Sequence, residues 1–93
     1  MSDENLEKWR KKIDEIDEKI LQFLQQRMRA VAEISRAKKI LGQKILDENR
    51  EKKILEKLIL KNENSFLSNK NLEIFWQQIF EFSRELQNKN LKK

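Results

Sequence analysis

The chain is organised around one helical stretch, Gln26-Arg27-Met28-Arg29-Ala30-Val31-Ala32-Glu33-Ile34-Ser35-Arg36-Ala37-Lys38. An α-helix turns about 100° and rises about 1.5 Å per residue, so Arg27 and Lys38 lie within about 20° of each other and about 16 Å apart along the axis. Val31 and Ile34 stand between them on the same stripe. Because a buried cation is costly unless an anion meets it, the stretch predicts an anion site. The alternative is that both cations snorkel to solvent or pair within the chain.

The composition favours helices. The chain has 93 residues, no proline, one glycine and 40% charged residues, which suits an all-α fold. We expect a single domain over residues 1–93, with 89–93 as a frayed tail. The net charge is +5, but three lysines lie in the last five residues, and the remainder has 18 Lys and Arg against 16 Asp and Glu. This near balance argues against a nucleic-acid-binding protein.

Several kinds of chemistry are disfavoured by residues that the chain lacks. It has no cysteine and no histidine, so disulfides, thiolates, zinc–sulfur sites and imidazole acid–base catalysis are excluded, and we expect neither a metal nor a cofactor. The start, Met1-Ser2-Asp3-Glu4, is acidic and lacks the apolar core of a signal peptide. No apolar run approaches the roughly 18 residues of a membrane span. We therefore expect a soluble, cytoplasmic protein.

The first helix is predicted from about Leu6 to Leu41. Gly42, the only glycine, follows the last periodic residue, where a left-handed position ends a helix. The side chains of one seam recur in steps of three and four, as in a heptad pattern. In order they are Trp9, Ile13, Ile16, Ile20, Phe23, Arg27, Ala30, Ile34, Ala37 and Leu41.

This helix is too long for its own chain to cover. About 36 residues give a length of roughly 54 Å, whereas a compact domain of this size has a radius of gyration of about 12 Å. Its apolar seam needs a second molecule, most simply a two-fold copy. The alternative is a bent or broken helix in a monomer, although no proline or internal glycine marks a break.

Two further helices are predicted. Asp47 opens the second, 47–61, with Glu48 and Glu51 in its first turn. The turn residues Asn62-Glu63-Asn64-Ser65 end it. The third, 68–88, is the most apolar of the three. The second helix is expected to bury Ile54, Leu55, Leu58 and Ile59, and the third carries a stripe of Trp76, Phe80, Ser83 and Gln87.

Other polar residues have spacings that could extend the anion site. Asp47, Arg50 and Glu51 fall on one face of the second helix, which could equally reflect capping and a surface ion pair. Ser83 and Gln87 end an aromatic stripe, which could equally mean that the helix leaves the core there. Together with Arg27 and Lys38 they would supply fixed cations and neutral donors without a nucleophile or titrating base. Such a site suits a small dianion whose reaction needs positioning and electrostatics.

Arg10 is too far from this site to serve it within one chain. It precedes Arg27 by 17 residues, about 25 Å along the helix. In an antiparallel dimer that crosses near Leu21, however, Arg10 would lie beside residue 32 of the partner, between Arg27 and Lys38 of that chain. The alternative is an ordinary solvated arginine.

These residues resemble a known family, the all-helical chorismate mutases, from about Leu6 to Gln87. The matching pattern is Arg10-x2-Ile13-x2-Ile16-Asp17-x2-Ile20-Leu21-x5-Arg27, then Ala37-Lys38, Asp47-x2-Arg50-Glu51 and Ser83-x3-Gln87. The resemblance implies an intertwined homodimer of three-helix chains, with no metal or cofactor. It also implies two sites, each built mostly by one chain and completed by the partner's Arg10.

The resemblance further implies a role for each site residue. Arg10 and Arg27 would hold the two substrate carboxylates, and Lys38 would contact a carboxylate and the ether oxygen. Gln87 would donate to that ether oxygen, and Glu51, with the backbone near Asp47, would hold the ring hydroxyl. The carboxylates would also be supported, directly or through water, by Arg50 and Ser83.

The implied reaction is the pericyclic rearrangement of chorismate to prephenate in phenylalanine and tyrosine biosynthesis. It needs no covalent intermediate and no proton transfer, which suits a chain without histidine or cysteine. Two alternatives stay open at this stage. One is an isochorismate–pyruvate lyase on the same helical scaffold, and the other is a non-enzymatic helical module that binds a protein or nucleic acid through the heptad seam.

Overall fold

The computed structural model describes residues 2–63 and 66–92, and the side chains of 3–63 and 66–89. This part of the chain holds three α-helices and no strand: α1 (Ser2–Leu41), α2 (Glu48–Lys61) and α3 (Asn69–Lys92). The all-α prediction is therefore confirmed. The chain divides into two units, Met1–Ala30 and Val31–Lys93. The expectation of one domain stays a prediction.

α1 ends at Leu41, as the position of Gly42 in the sequence predicted. Gly42 has a φ of +69°, and its N–H donates to the Lys39 carbonyl at 3.4 Å while the N–H of Gln43 donates to the Lys38 carbonyl at 2.9 Å. These two bonds form a Schellman motif, which satisfies carbonyls that the helix end would otherwise leave unpaired. α1 runs without interruption from Ser2 to Leu41, so a broken helix is excluded, and the bent-helix alternative stays open.

The start of α1 differs from the prediction. The helix begins at Ser2, four residues before the expected Leu6. The prediction followed the apolar seam, whereas the first turn is made of acidic residues, Asp3 and Glu4. Carboxylates are favourable there because they face the positive end of the helix dipole.

The first unit carries an apolar seam that its own side chains do not cover. Every described side chain up to Ala30 is exposed or half-buried. The exposed apolar residues of the predicted seam include Trp9 at 56%, Ile13 at 55% and Phe23 at 65%. An isolated helix has no core, so such a seam remains in contact with water in a single chain.

The core lies in the second unit and is small. Among the described residues, the buried apolar side chains are Val31, Leu72, Ile79 and Phe80. The last three recur at helical spacing on one face of α3. In the predicted stripe Phe80 is buried, whereas Trp76 is half-buried. The four residues expected to face the core from α2 are only half-buried, and α2 has no buried residue.

The connection between α2 and α3 is organised by Asn62. Its N–H donates to the Ile59 carbonyl at 3.1 Å, which caps α2. Its side-chain amide donates to the Leu67 carbonyl and to Asn69 Oδ1, each at 2.9 Å. One side chain thus links the end of α2 to the start of α3. Asn64 and Ser65 of the predicted turn lie outside the described residues.

Only the start of α3 agrees with the bounds predicted from the sequence. Ser68 Oγ accepts a hydrogen bond from the Asn71 N–H at 3.0 Å, so Ser68 caps the helix near the predicted start. The helix continues to Lys92, four residues beyond the expected Asn88. No proline or glycine stops it there. The frayed tail from residue 89 stays a prediction. Lys93 lies outside the described residues.

None of the three helices, over the residues described, combines the length and apolarity required to cross a bilayer.

Candidate active site

Ser83 and Gln87 are buried on α3 and touch each other. Ser83 is 7% exposed and Gln87 is 6% exposed. Ser83 Oγ donates to the Ile79 carbonyl at 2.9 Å, and Gln87 Nε2 donates to the Ser83 carbonyl at 3.3 Å. The alternative that α3 leaves the core at these residues is therefore wrong, and a polar pair lies inside the apolar stripe.

Gln87 is held at one end of its amide. Its Oε1 is buried and meets no hydrogen-bond donor among the described groups, whereas Nε2 is anchored on Ser83. An amide nitrogen carries two N–H donors. One of them is directed to the Ser83 carbonyl, so the other is available to a ligand. The backbone of α3 thus fixes the position of the donor.

Lys38 is also fixed in place, by the segment that follows α1. Its side chain is half-buried, and its Nζ donates to the Ile45 carbonyl at 2.7 Å. The left-handed turn at Gly42 lies between these two residues, and the Ile45 carbonyl is within reach of the Lys38 side chain. An ammonium has three donors, so two remain for a bound anion. The snorkelling alternative does not describe this ammonium, which contacts a backbone carbonyl.

Asp47 and Glu51, predicted to share one face of α2 with Arg50, have different structural roles. Asp47 Oδ1 accepts from the Arg50 N–H at 3.0 Å, so the aspartate caps α2 as predicted. The side chains of Asp47 and Arg50 are exposed. Glu51 is half-buried and therefore faces inward, toward α3. The capping interpretation thus holds for Asp47, while Glu51 belongs with the interior group.

Glu51 is paired with a residue that the sequence did not single out. Arg84 Nη1 donates to Glu51 Oε2 at 2.5 Å, and the two side chains are 30% and 21% exposed. The partners are 33 residues apart, so no local spacing reveals them. The available signal was that Arg84 directly follows Ser83, on a turn that also holds Gln87.

Ser35 is a second residue that sequence analysis did not assign to the site. It is 1% exposed on the turn of α1 before Lys38, and its Oγ meets no hydrogen-bond partner among the described residues. Helical serines usually donate to the carbonyl four residues back, as Ser83 does. Ser35 has no such contact, so its hydroxyl carries a desolvation cost.

The two arginines of the first unit have different surroundings. Arg27 is half-buried, as its place on the apolar seam predicted. Arg10 is 63% exposed and pairs with Glu7 at 3.1 Å, one turn earlier on α1. An ion pair of this kind contributes little to stability because water screens both charges. The exposed position is that of a residue available to another molecule.

The second unit holds a half-buried lysine on α1, a glutamate–arginine pair that joins α2 to α3, and a buried serine and glutamine on α3. The hydrogen bonds described above join Glu51 to Arg84 and Ser83 to Gln87, and they do not join Lys38 to either pair. Over the described residues, no group of three His, Cys, Asp or Glu side chains is placed to hold a metal ion. These groups are charges and hydrogen-bond donors and include no activated nucleophile. Fold and side chains define an all-helical protein with half-buried cations and buried neutral polar groups.

The chain belongs to the chorismate mutase family: the model for chorismate mutase type II matches residues 9–88. A curated relative is the bifunctional chorismate mutase/prephenate dehydratase of Buchnera aphidicola subsp. Acyrthosiphon pisum (strain APS), 38% identical over 85 residues. The alignment covers 91% of this chain and 22% of that relative, so the chain spans about a fifth of the relative's length.

Proposed function

We propose that the chain is a chorismate mutase, which converts chorismate to prephenate by a pericyclic rearrangement. The observation that carries this proposal is the extent of the family match, 9–88, which includes every predicted site residue from Arg10 to Gln87. The name of the bifunctional relative supports the same activity. The interior placement of Lys38, Glu51, Ser83 and Gln87 is consistent with it.

Catalysis in this proposal comes from holding the substrate in a folded pose. In the reaction one C–O bond breaks while one C–C bond forms, and the flexible side chain must lie over the ring. Arg27 and the partner's Arg10 hold the two carboxylates, with Arg50 and Ser83 in support. Glu51 and the backbone near Asp47 hold the ring hydroxyl. Fixing this conformation removes much of the entropic part of the barrier.

Electrostatic stabilisation is assigned to Lys38 and Gln87. Negative charge grows on the ether oxygen as the C–O bond stretches, so donors to that oxygen bind the transition state more strongly than the substrate. Both donors are already anchored, Lys38 on the Ile45 carbonyl and Gln87 on the Ser83 carbonyl. Because each retains a further N–H, neither has to break its anchoring bond to reach the substrate. This preorganisation supports the assignment.

The proposed enzyme is a homodimer. The exposed seam of the first unit, with Trp9 at 56% and Ile13 at 55%, is a surface that a second copy would bury. Arg10 lies beside Trp9 and is itself exposed, so it is accessible to a partner's site. A symmetric pair would use the same seam on both chains. The cytoplasmic location expected from the sequence stays a prediction.

The dimer is tested by mass and by one matched pair of variants. Ile13→Asp places a carboxylate on the seam, and Lys12→Asp places the same side chain one position away from it. Light scattering should give a dimer for the wild type and Lys12→Asp, and a smaller species with reduced activity for Ile13→Asp. A wild-type monomer with full activity would contradict the dimer.

The activity is tested by offering chorismate and isochorismate separately, with product identification. We expect loss of chorismate absorbance with formation of prephenate, and no salicylate from isochorismate. Salicylate and pyruvate as the main products would instead assign the lyase. A salt-dependent gel shift with nucleic acid, without turnover of either substrate, would favour the non-enzymatic module.

A further inference from the structure

Arg84 joins α2 to α3 at the candidate active site. Its guanidinium donates to Glu51 Oε2 at 2.5 Å, and the pair is partly buried, with 30% of Arg84 and 21% of Glu51 exposed. A charge-assisted hydrogen bond of this kind is shorter and stronger than one between neutral groups. Arg84 lies directly after Ser83 and one helical turn before Gln87. The ion pair therefore lies in the same part of α3 as the two buried polar residues.

The pair leaves part of the glutamate available. An ionised carboxylate accepts hydrogen bonds at two oxygens. Arg84 contacts Oε2, and among the described residues no donor is recorded at Oε1. Oε1 therefore has a fixed position and unused acceptor capacity, which is the arrangement that a hydroxyl donor on a ligand requires.

We propose that Arg84 is a positioning residue of the active site, which holds Glu51 so that Oε1 meets the ring hydroxyl of the substrate. This inference rests on the proposed chorismate mutase function. Without Arg84 the glutamate has several rotatable bonds to order when substrate binds, at a cost in conformational entropy. With Arg84 that ordering is complete before binding.

The position of the hydroxyl in the substrate predicts which kinetic constant changes. The ring hydroxyl is not one of the atoms whose bonds form or break, so its contact is similar in the ground state and the transition state. Loss of such a contact raises KM more than it lowers kcat. A variant that merely folds less well would lower the apparent kcat in proportion to the amount of folded protein. Its KM would be unchanged, because the molecules that fold would bind substrate normally.

The test is a double-mutant cycle of Arg84→Met and Glu51→Gln, measured as kcat/KM for chorismate. We expect each single variant to lose activity, by up to about 100-fold for Arg84→Met, mainly through KM. The double variant should match Glu51→Gln alone within about two-fold, because Arg84 acts through Glu51. Arg84→Lys should recover part of the loss, since one cationic N–H can still reach Oε2.

A matched control is available on α1. Arg36 forms an exposed ion pair with Glu33, one helical turn away, and has no place in the proposed site. Arg36→Met should leave KM and kcat unchanged. Circular dichroism checks that each variant is helical. If Arg84→Met fails to fold, Arg84→Gln, which keeps a polar side chain, takes its place in the cycle.

The outcomes separate the two proposals. An inactive wild type would overturn the chorismate mutase assignment and this inference with it. If the wild type is active but the losses in kcat/KM of Arg84→Met and Glu51→Gln multiply in the double variant, Arg84 does not act through Glu51. That result would overturn the role of Arg84 and leave the chorismate mutase assignment standing. Wild-type KM in a folded Arg84→Met would do the same.

Discussion

The Lys38 ammonium donates a hydrogen bond of 2.7 Å to the backbone carbonyl of Ile45, seven residues further along the chain. The bond spans the end of α1 and ties the segment before Asp47 to its last turn. A cation that the sequence placed on an apolar stripe thus meets a carbonyl dipole within its own chain. It is held in position while most of its donor capacity remains unused.

Loss of the Lys38 ammonium should nearly abolish turnover. Lys38→Met keeps the length and apolar character of the side chain but removes the charge and all three donors. By analogy with single oxyanion donors, we expect a loss of about 3–4 kcal/mol in transition-state stabilisation. Initial rates of chorismate loss measure it, with Lys39→Met, an exposed neighbour, as the control that should stay active. A near wild-type rate for Lys38→Met would reject the assigned role.

Loss of the Gln87 amide should have a similar effect. Gln87→Ala removes the donor that Ser83 anchors at 3.3 Å, and we expect a fall in kcat of about 100-fold or more. Asn88→Ala removes an amide from the next, exposed position and should leave turnover unchanged. Both variants should remain helical by circular dichroism. Equal activity in Gln87→Ala and Asn88→Ala would contradict the proposal that the buried Gln87 amide donates to the ether oxygen.

Gly42→Ala should destabilise the chain through its backbone alone. The φ of +69° disfavours any side chain, whereas nothing lies within 4 Å of a Cβ built there. We expect a loss of about 1 kcal/mol in the free energy of unfolding, measured by urea denaturation. Gly42→Asn should lose less, since asparagine tolerates the left-handed region. Equal losses in both variants would point to a cause other than φ.

Ser35→Ala should stabilise the free protein. The hydroxyl is buried at 1% exposure without a partner among the described residues, so its removal relieves a desolvation cost of about 1 kcal/mol. Ser68→Ala, which removes the N-cap of α3, is the contrasting control and should destabilise by about as much. Thermal unfolding compares the two. A fall in Tm for Ser35→Ala would show that the hydroxyl has a stabilising contact.

Local signals were the most reliable guides to the fold. Gly42, Asp47 and Ser68 each mark a helix end by a mechanism that involves neighbouring residues only, and each lies where the sequence placed it. The errors are also local. The start at Ser2 and the end at Lys92 were missed because the apolar pattern, rather than the backbone, set the predicted bounds.

The sequence predicted which residues belong to the candidate site better than it predicted which of them contact each other. Lys38, Glu51, Ser83 and Gln87 were singled out from spacing and family resemblance, and all four are buried or half-buried. Arg84 was missed because an arginine outside the apolar pattern of a helix is ordinarily expected to be solvent-exposed. Its partner Glu51 lies on another helix.

The sequence by itself determined that this chain is helical, where its helices meet their caps, and which family it belongs to. These properties depend on interactions between residues a few positions apart, or on a pattern that spans the chain. Only the tertiary structure decided that Ser83 and Gln87 lie inside, that Lys38 is anchored on Ile45 and that Arg84 holds Glu51. Burial and pairing across helices depend on how the elements pack, and hydrophobic contacts are not directional enough for a one-dimensional pattern to specify them.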